Sequence, residues 1–236
     1  MTTISNVAAI SAGYKITTAV KSDKSIWQWG TITNVLGSGV NYKAAQLQTV
    51  KPAAIPSFTG AAKVSSGYNM LTLVKNEGSV WSMGNNSIGE LGDGTRVHRT
   101  KPVSVKNLKN IKTTYNIKSE SYDYTVTLKN DGTLASWGDN QKGQLGDGTK
   151  IRRTAPVAVK NLKSVVSAAL SPSHALALTS DGTVWSWGSS GDGALGTGNR
   201  TDSLVPVKVK NLTDVKAIAA SRSISAALKK DGNLWT

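Results

Sequence analysis

Residues 180–188 read Ser-Asp-Gly-Thr-Val-Trp-Ser-Trp-Gly, a polar turn followed by a short run of β-branched and aromatic residues. An Asp-Gly pair beside such a run is a strong signal for a β-hairpin. Trp185 and Trp187 are two positions apart, so both project from the same face of the predicted strand. The stretch therefore predicts a strand with one heavily aromatic face, which suits packing against a neighbouring sheet.

The same stretch recurs along the whole chain at intervals of roughly fifty residues. Further copies occupy residues 22–30, 76–84 and 130–138, and an incomplete copy occupies residues 230–236. A Pro-Val motif keeps the same phase and starts at Pro52, Pro102, Pro156 and Pro206. A third motif, Leu-Gly-Asp-Gly-Thr or a relative of it, lies between them and starts at Leu36, Leu91, Leu145 and Leu195. Three motifs in one register predict a tandem repeat.

Each repeat contains four apolar runs of about five or six residues, separated by Gly-rich or Asp-Gly turns, and no sustained helical period. Four such strands in roughly fifty residues predict an all-β fold, a β-propeller of four-stranded antiparallel blades. We expect a single repeat domain over residues 1–236, with units of approximately 1–49, 50–100, 101–154, 155–204 and a partial 205–236.

The number of strands leaves the closure of the propeller open. Three strand types occur five times and the Pro-Val type four times, which amounts to about five blades. The chain is then an incomplete part of a larger propeller, a small five-bladed ring, or an arc that a homo-oligomer completes. Open strand edges invite pairing with another chain, which disfavours an isolated arc.

The order of Trp-Ser-Trp-Gly, Gly-Asp-Gly-Thr, Pro-Val-x-Val and His174-Ala-Leu-Ala-Leu178 resembles the regulator-of-chromosome-condensation repeat family. The resemblance implies a β-propeller, usually closed with seven blades, that binds other macromolecules. Members include a nucleotide exchange factor for a Ran-type GTPase, ubiquitin-ligase domains and, more loosely, bacterial inhibitors of β-lactamase. The exchange factor carries a β-wedge inserted into one blade. No comparable insertion is present here, so exchange activity is not expected.

The amino-acid composition limits the kinds of partner and active site that the chain can have. The chain has 236 residues with 28 Lys and Arg against 14 Asp and Glu, a net charge of +14 that favours acidic partners. Cys is absent and only His98 and His174 supply imidazole, so we expect neither a metal site nor a cofactor. His174 occupies a repeat position filled elsewhere by apolar residues, and the repeats place no Ser or carboxylate as its partner. We predict a binding scaffold that is not an enzyme.

The sequence shows neither a transmembrane run nor a signal-peptide pattern. The expectation is therefore a cytoplasmic protein, or part of a longer or processed secreted polypeptide.

Partner binding is predicted at a turn that recurs nine residues before each Asp-Gly pair. Tyr and Arg anchor many protein interfaces, and repeat symmetry would place these positions around one face. The β-lactamase inhibitors grip their enzyme with aromatic residues in adjoining turns, which by resemblance favours protein binding. The alternative is that the tyrosines cover blade ends. The turn position holds Tyr14, Tyr68, Tyr122, Pro172 and Arg222, and Tyr124 in the longer loop of residues 117–124 joins the predicted set.

A second hypothesis concerns basic residues that follow the Gly-Asp-Gly-Thr motif. Recurring Arg and Lys at loop sites suit an anionic polymer such as nucleic acid or an acidic glycan, although exposed aromatics for stacking bases are missing. A solvated basic rim is the alternative. The chain could also be a structural repeat segment of a larger bacterial protein. The predicted anion-binding residues are Arg96, Arg99, Lys150, Arg152, Arg153 and Arg200.

Overall fold

The computed structural model describes residues 3–14, 16–32, 47–117, 119 and 123–236. This part of the chain contains 19 β-strands arranged in five antiparallel sheets. No helix among these residues has the length and apolar character that a membrane crossing requires. The predicted all-β architecture of four-stranded antiparallel blades is confirmed.

Four sheets have four strands and the fifth has three, and strands that follow each other within a sheet are hydrogen-bonded neighbours. The first sheet contains β1 (Val7–Ala12), β2 (Ile16–Lys21), β3 (Ser25–Ile32) and β4 (Leu47–Thr59). The second contains β5 (Ala61–Ser66), β6 (Met70–Lys75), β7 (Val80–Gly84) and β8 (Arg99–Ser104). The third contains β9 (Ile111–Asn116), β10 (Tyr124–Lys129), β11 (Leu134–Gly138) and β12 (Arg153–Ala158).

The fourth sheet contains β13 (Val165–Leu170), β14 (His174–Thr179), β15 (Val184–Gly188) and β16 (Ser203–Lys208). The fifth contains β17 (Val215–Ser221), β18 (Ile224–Lys229) and β19 (Leu234–Trp235). Contacts between the sheets run in succession through their first strands, from β1 to β5, β9, β13 and β17. These first strands therefore line the inner side of the arc, and the ring is not closed among the described residues.

The sheets are out of phase with the repeat units by one strand. The Pro-Val segment at the start of the second to fifth units is the last, outer strand of the preceding sheet. Proline has no N–H to donate to a ladder, and an edge strand leaves one side of the backbone unpaired. Pro156 in β12 accordingly lies in a strand that pairs with β11 alone.

Buried tryptophans join one sheet to the next. The Nε1 atom of Trp137 in the third sheet donates to the main-chain oxygen of Glu90, in the loop of the second sheet, over 2.9 Å. Trp187 makes the equivalent bond to the oxygen of Gln144 over 2.8 Å, and both indoles are fully buried. These two residues of the aromatic strand type therefore pack between blades, as the sequence predicted.

Candidate functional site

Two sets of loops lie at the same end of the sheets. In the second sheet Met70 at the start of β6 pairs with Gly84 at the end of β7, and Gly84 pairs with Arg99 at the start of β8. The turn before β6 and the loop before β8 therefore project in the same direction. We call the turns between the first and second strands the inner turns, because they adjoin the inner strands. We call the loops between the third and fourth strands of the second, third and fourth sheets, residues 85–98, 139–152 and 189–202, the outer loops.

The first two inner turns lie against each other. Each is closed by a glycine N–H, that of Gly13 bonding to the oxygen of Ile16 over 2.7 Å and that of Gly67 bonding to the oxygen of Met70 over 2.8 Å. A Cβ atom on Gly13 would lie 2.4 Å from the oxygen of Gly67, so a glycine here permits the close approach. The turns can therefore present their tyrosines side by side.

Tyr14 and Tyr68 form a stacked pair with ring centroids 4.4 Å apart and an interplanar angle of 23°. Tyr14 is 55% exposed, which leaves part of this aromatic pair open to solvent. The structure thus brings together two of the predicted partner-binding residues. A stacked pair loses less conformational freedom on binding than two independent side chains, because each ring already restricts the other.

The remaining inner-turn positions differ from these two. Arg222 is exposed in the turn between β17 and β18, where its φ of 41° lies in the left-handed region. Pro172 is partly buried, and its main-chain oxygen accepts a bond of 3.4 Å from Gln144 Nε2. The predicted Tyr122 lies outside the described residues.

The prediction that Tyr124 contributes to a binding surface is wrong. Its side chain is fully buried, and its hydroxyl donates to the main-chain oxygens of Ser171 and His174 over 2.9 and 3.0 Å. Burial raises the pKa of Tyr124 far above its usual value. Tyr124 therefore connects the third sheet to the inner turn of the fourth. Tyr124 is the first residue of β10, and its side chain points towards the fourth sheet. This burial depends on the packing of two sheets, so the local sequence does not reveal it.

A buried asparagine organises each of two outer loops. Asn86 Nδ2 donates to Asp93 Oδ1 at 3.1 Å and to the main-chain oxygen of Val97 at 3.1 Å, while its Oδ1 accepts from the main-chain N–H of Leu91 at 3.0 Å. Asn140 makes the same set of bonds in the next loop, to Asp147, Ile151 and Leu145. Since one side chain satisfies several main-chain groups, the outer loops are held in defined conformations.

Two of the predicted anion-binding arginines, at the starts of β8 and β12, form ion pairs with carboxylates of the outer loops. Arg99 lies 2.8 Å from Asp93 Oδ2, and Arg153 lies 2.7 Å from Asp147 Oδ2. Burial by itself would raise the pKa of Asp93. Hydrogen bonds from Thr95 and Arg99 outweigh burial and lower this pKa below its usual value. Asp147 has its pKa lowered in the same way by Thr149 and Arg153.

A third arginine, Arg152, bonds through Nε to Oδ1 of the fully buried Asp139 over 2.8 Å. Arg99, Arg152 and Arg153 each pair with a carboxylate of the adjoining outer loop, so part of their charge is already neutralised, and their assignment to anion binding stays a prediction. Sequence reasoning read these arginines as a basic set because it could not place the carboxylates beside them.

The other three basic residues of that set are exposed. Equivalent positions in the outer loops of the second, third and fourth sheets hold Arg96, Lys150 and Arg200. Each lies two residues after a left-handed glycine of the Gly-Asp-Gly motif or its variant. Val97 and Ile151, which follow two of them, are 56% and 60% exposed. The outer loops thus present cations beside apolar side chains on the same face as the inner turns.

Sequence reasoning missed a group of buried carboxylates on this face. Burial raises the pKa of Glu90, and burial together with the nearby charges of Glu90 and Asp139 raises the pKa of Asp123 to about 8. Asp123 Oδ1 has no hydrogen-bond partner among the described residues. The described part of the chain contains no group of three or more His, Cys, Asp or Glu side chains that could hold a metal ion. A buried acid with one unpartnered oxygen is expected to be protonated near neutral pH.

The expectation that no serine accompanies His174 is also wrong. His174 is fully buried, with Nδ1 2.6 Å from Ser171 Oγ and Nε2 2.9 Å from Ser225 Oγ. Ser225 Oγ donates to the main-chain oxygen of Ala194 over 2.7 Å, so its proton points away from the imidazole and Nε2 is the donor. Burial lowers the pKa of His174 to about 4. Nδ1 of the neutral ring then accepts from Ser171 Oγ, and both side chains are fully buried, so the group connects β14 to its own inner turn and to β18 away from solvent.

The successive four-stranded sheets and the tryptophans buried between them define a propeller-type repeat scaffold. The profile of the regulator of chromosome condensation (RCC1) repeat matches residues 77–117, 131–178 and 181–228, and a second profile of that repeat matches residues 165–194. These matches cover more than half of the sequence. The chain therefore belongs to the RCC1 repeat family.

Relatives show how this repeat is used in longer proteins. The chain is 32% identical to the human E3 ubiquitin-protein ligase HERC2 over 174 residues, which are 72% of this chain and 4% of that protein. It is 30% identical to the mitochondrial RCC1 domain-containing protein RUG3 of Arabidopsis thaliana over 183 residues, 72% of this chain and 39% of that protein. The chain thus spans well under two thirds of these relatives.

The fold is shared with yeast RCC1 (Prp20), solved in complex with Kap60. That structure superposes with a TM-score of 0.79 at 23% identity and covers 97% of this chain and 55% of the yeast chain. A second structure of the Saccharomyces cerevisiae protein, with a TM-score of 0.77 and also 23% identity, was described together with its binding to Gsp1p and histones. It covers 97% of this chain and 57% of that one.

Proposed function

We propose that this chain is a non-catalytic scaffold that binds another protein through the inner turns. The observation that carries the proposal is the stacked Tyr14–Tyr68 pair, 4.4 Å between centroids, with Tyr14 55% exposed. Tyrosine supplies a large amphipathic contact area with only two side-chain torsions to immobilise. Arg222 adds an exposed guanidinium at the corresponding turn of the fifth sheet.

The family supports protein binding as the general role. The yeast relative binds Kap60, and its binding to Gsp1p and histones has been described. The non-catalytic part of the proposal is supported by the complete burial of His174 and Ser171, which leaves neither side chain accessible to a substrate.

Site-specific photo-crosslinking tests the proposal. A benzophenone amino acid replaces Tyr14 in one variant and Lys230 in another, because Lys230 is exposed in the turn after β18 at the opposite end of the sheets. Irradiation in extract of the source cells should yield a discrete protein adduct from position 14 and none from position 230. Equal adducts from both positions, or none from position 14, would count against the inner turns.

Alanine variants then measure the contribution of the tyrosines once the adduct has been identified. We expect Tyr14→Ala and Tyr68→Ala each to weaken binding of the captured protein at least tenfold, since hot-spot tyrosines contribute about 2 kcal/mol or more and tenfold corresponds to about 1.4 kcal/mol. Lys230→Ala is the control and should leave the affinity unchanged. Unchanged affinity in both tyrosine variants would contradict the proposal.

A second candidate function, binding of an anionic polymer, is favoured by the exposure of Arg96, Lys150 and Arg200 at equivalent positions of three outer loops. The net charge of +14 would strengthen such binding. The triple alanine variant should weaken binding of a heparin oligosaccharide and reduce the salt dependence of its affinity. A triple variant of exposed lysines outside these loops, Lys106, Lys163 and Lys230, is the charge-matched control. An equal loss in both variants would show that only net charge matters.

A further inference from the structure

Three acidic side chains meet where the second sheet packs against the third, at the end of the sheets that carries the inner turns. Glu90 belongs to the outer loop of the second sheet, Asp123 precedes β10, and Asp139 follows β11. Their exposures are 1%, 6% and 0%, and the charges of Glu90 and Asp139 both act on Asp123. We call this group the acidic site. It is a buried negative region in a chain whose net charge is +14.

Two of the three carboxylates receive hydrogen bonds from neighbouring residues. Asp139 accepts through Oδ1 from Arg152 Nε over 2.8 Å and through Oδ2 from Gln144 Nε2 over 2.9 Å. Glu90 accepts through Oε1 from Asn85 Nδ2 and through Oε2 from a main-chain N–H of its own loop. In the part of the chain that the structure describes, the pair with Arg152 is the one ion pair of the acidic site.

Asp123 is the unsatisfied member of the acidic site. Over all described residues, its Oδ1 is the one buried side-chain polar atom without a hydrogen-bond partner. None of the ion pairs among those residues includes Asp123. A buried acceptor normally has a donor, because its lost hydration is otherwise uncompensated. Asp123 is still 6% exposed, so a donor can approach it from the face of the inner turns.

The fold does not require acids at these three positions. In the third sheet the residue after the third strand donates its main-chain N–H to the oxygen of the residue before the second strand over 3.0 Å, and the fourth sheet has the same bond at 2.9 Å. The geometry therefore persists at the next junction, between the third and fourth sheets, where the side chains are neutral. The equivalent positions there hold Gln144, Ser173 and Ser189.

The stacked tyrosines lie next to the acidic site. Tyr68 is followed by Asn69, whose main-chain oxygen accepts from the N–H of Asn85 over 2.9 Å. The side chain of Asn85 in turn bonds to Glu90. Tyr14, which stacks on Tyr68, is 55% exposed. A protein that docks on the inner turns therefore meets an aromatic surface and a buried negative charge a few side chains apart.

An arginine side chain matches both features. Its guanidinium carries several N–H donors in one plane and forms strong, charge-assisted bonds with carboxylates. It is more weakly hydrated than a lysine ammonium, so it loses less on entering a nearly buried site. It also stacks on aromatic rings, which the tyrosine pair provides.

We propose that the acidic site binds one arginine side chain of the protein partner, whose guanidinium donates to the carboxylate of Asp123. This inference rests on the proposed function, because the arginine belongs to the protein that docks on the inner turns. The guanidinium favours the ionised carboxylate, so Asp123 releases its proton to solvent as the cation binds.

The affinity should therefore rise with pH. The pKa of Asp123 is about 8, so a ligand that binds the ionised form alone should bind roughly tenfold more tightly at pH 9 than at pH 7. Other titratable groups also face the acidic site. They are Glu90 and Asp139 themselves, Arg152 beside Asp139, His98, whose charge acts on Glu90, and Tyr124, whose pKa burial raises far above this range.

A small probe tests the site without the partner. N-acetyl-arginine amide is titrated into the full chain, and binding is followed by ¹⁵N–¹H chemical shifts at pH 7 and pH 9. N-acetyl-citrulline amide, which has the same shape and no charge, is the matched control. We expect binding of the arginine probe alone, with the tenfold preference for pH 9. Equal binding of both probes, no binding of the arginine probe, or equal affinity at the two pH values would overturn the proposal.

Two variants then locate the bound probe and separate the titration of Asp123 from that of its neighbours. Asp123→Asn should abolish probe binding, whereas Asp192→Asn, which removes an exposed carboxylate from the outer loop of the fourth sheet, should leave it unchanged. Binding that survives Asp123→Asn, or an equal loss in both variants, would overturn the proposal. The outcome is independent of the crosslinking at Tyr14. Failed crosslinking with probe binding intact would count against the inner turns and support the arginine site, and the reverse result would overturn the arginine site alone.

Discussion

The indole Nε1 of Trp187 donates a hydrogen bond to the main-chain oxygen of Gln144, 2.8 Å away, and so joins the fourth sheet to the outer loop of the third. Gln144 is itself held from its side chain, because its Nε2 donates to Asp139 Oδ2 over 2.9 Å and its Oε1 accepts from the main-chain N–H of Lys142 over 2.8 Å. Core packing and loop conformation on the candidate binding face are therefore linked through one residue.

Replacing Trp187 should separate the contribution of the hydrogen bond from that of packing. We expect Trp187→Phe to destabilise the protein by about 1–3 kcal/mol, since it leaves the buried oxygen of Gln144 without its partner, and Trp187→Ala to cost about 3–5 kcal/mol. Trp235→Phe is the control, because Trp235 is 46% exposed. Chemical denaturation measures the differences. Equal costs at the two positions would contradict the inter-sheet role of Trp187.

Asp123 should make the protein less stable as pH rises. Its folded pKa of about 8 lies above the ordinary value of 3.8, so the folded state holds a proton that the unfolded state has lost between these values. Stability is then fully present below about pH 4 and is lost as pH rises towards about 8. Asp123→Asn, which mimics the protonated acid, should remove this loss and gain on the order of 1–3 kcal/mol at pH 8.

The control for this effect is Asp131→Asn in an exposed turn. Hydrogen bonds from the Thr133 side chain and main chain lower the pKa of Asp131, so its stabilisation is present at neutral pH and is lost in acid. Asp131→Asn should therefore lower stability at pH 8, the opposite sign to Asp123→Asn. Urea unfolding at several pH values measures both, and the same sign for both variants would contradict the assignment.

His174 should make the protein sensitive to acid. Burial lowers the pKa of His174 to about 4 from an ordinary value of 6.5, so the unfolded state gains a proton first. Stability is lost as pH falls from about 6.5 to about 4. His174→Met, copied from the equivalent Met70, should flatten this part of the pH profile while weakening the connection to Ser225. A profile of unchanged slope in the variant would show that other groups cause the acid sensitivity.

The basic residues in and directly after the outer loops should divide into two classes. Arg153→Ala should cost about 1–3 kcal/mol of stability, because it leaves the nearly buried Asp147 without its guanidinium. Lys150→Ala, three positions earlier and exposed, should change stability by less than about 0.5 kcal/mol. Thermal unfolding and heparin binding of both variants test the division. If Lys150→Ala were the more destabilising, the loop assignment would be wrong.

Much of the architecture follows from local sequence. The Asp-Gly turn before Val184, the alternation through Trp187 and the Pro-Val strand at Pro206 specify strand type, turn and edge position without knowledge of the fold. These signals depend on main-chain conformations that a few neighbouring residues select. The shared location of Tyr14 and Tyr68 could also be predicted, because both occupy the same position of the repeat.

Only part of the candidate binding surface could be predicted from the sequence. Tyr124, predicted at the surface, is buried because the inner turn of the fourth sheet covers it, and Arg152 bonds to a carboxylate of its own loop. Both outcomes depend on contacts that no local pattern records. The group of Glu90, Asp123 and Asp139 is likewise invisible in the sequence, because these residues are distant along the chain and meet through the packing of successive sheets.

The sequence by itself determined the tandem repeat, the four strand types of each blade and the family to which the chain belongs. These features can be predicted from a single sequence because each motif recurs at the same position of the next repeat. Only the tertiary structure decided which charges are neutralised and which tyrosines remain exposed. Those properties depend on burial and on contacts that form only when the chain folds, either within one sheet and its loop, as for Arg153 and Asp147, or between successive sheets, as for Tyr124 and Ser171.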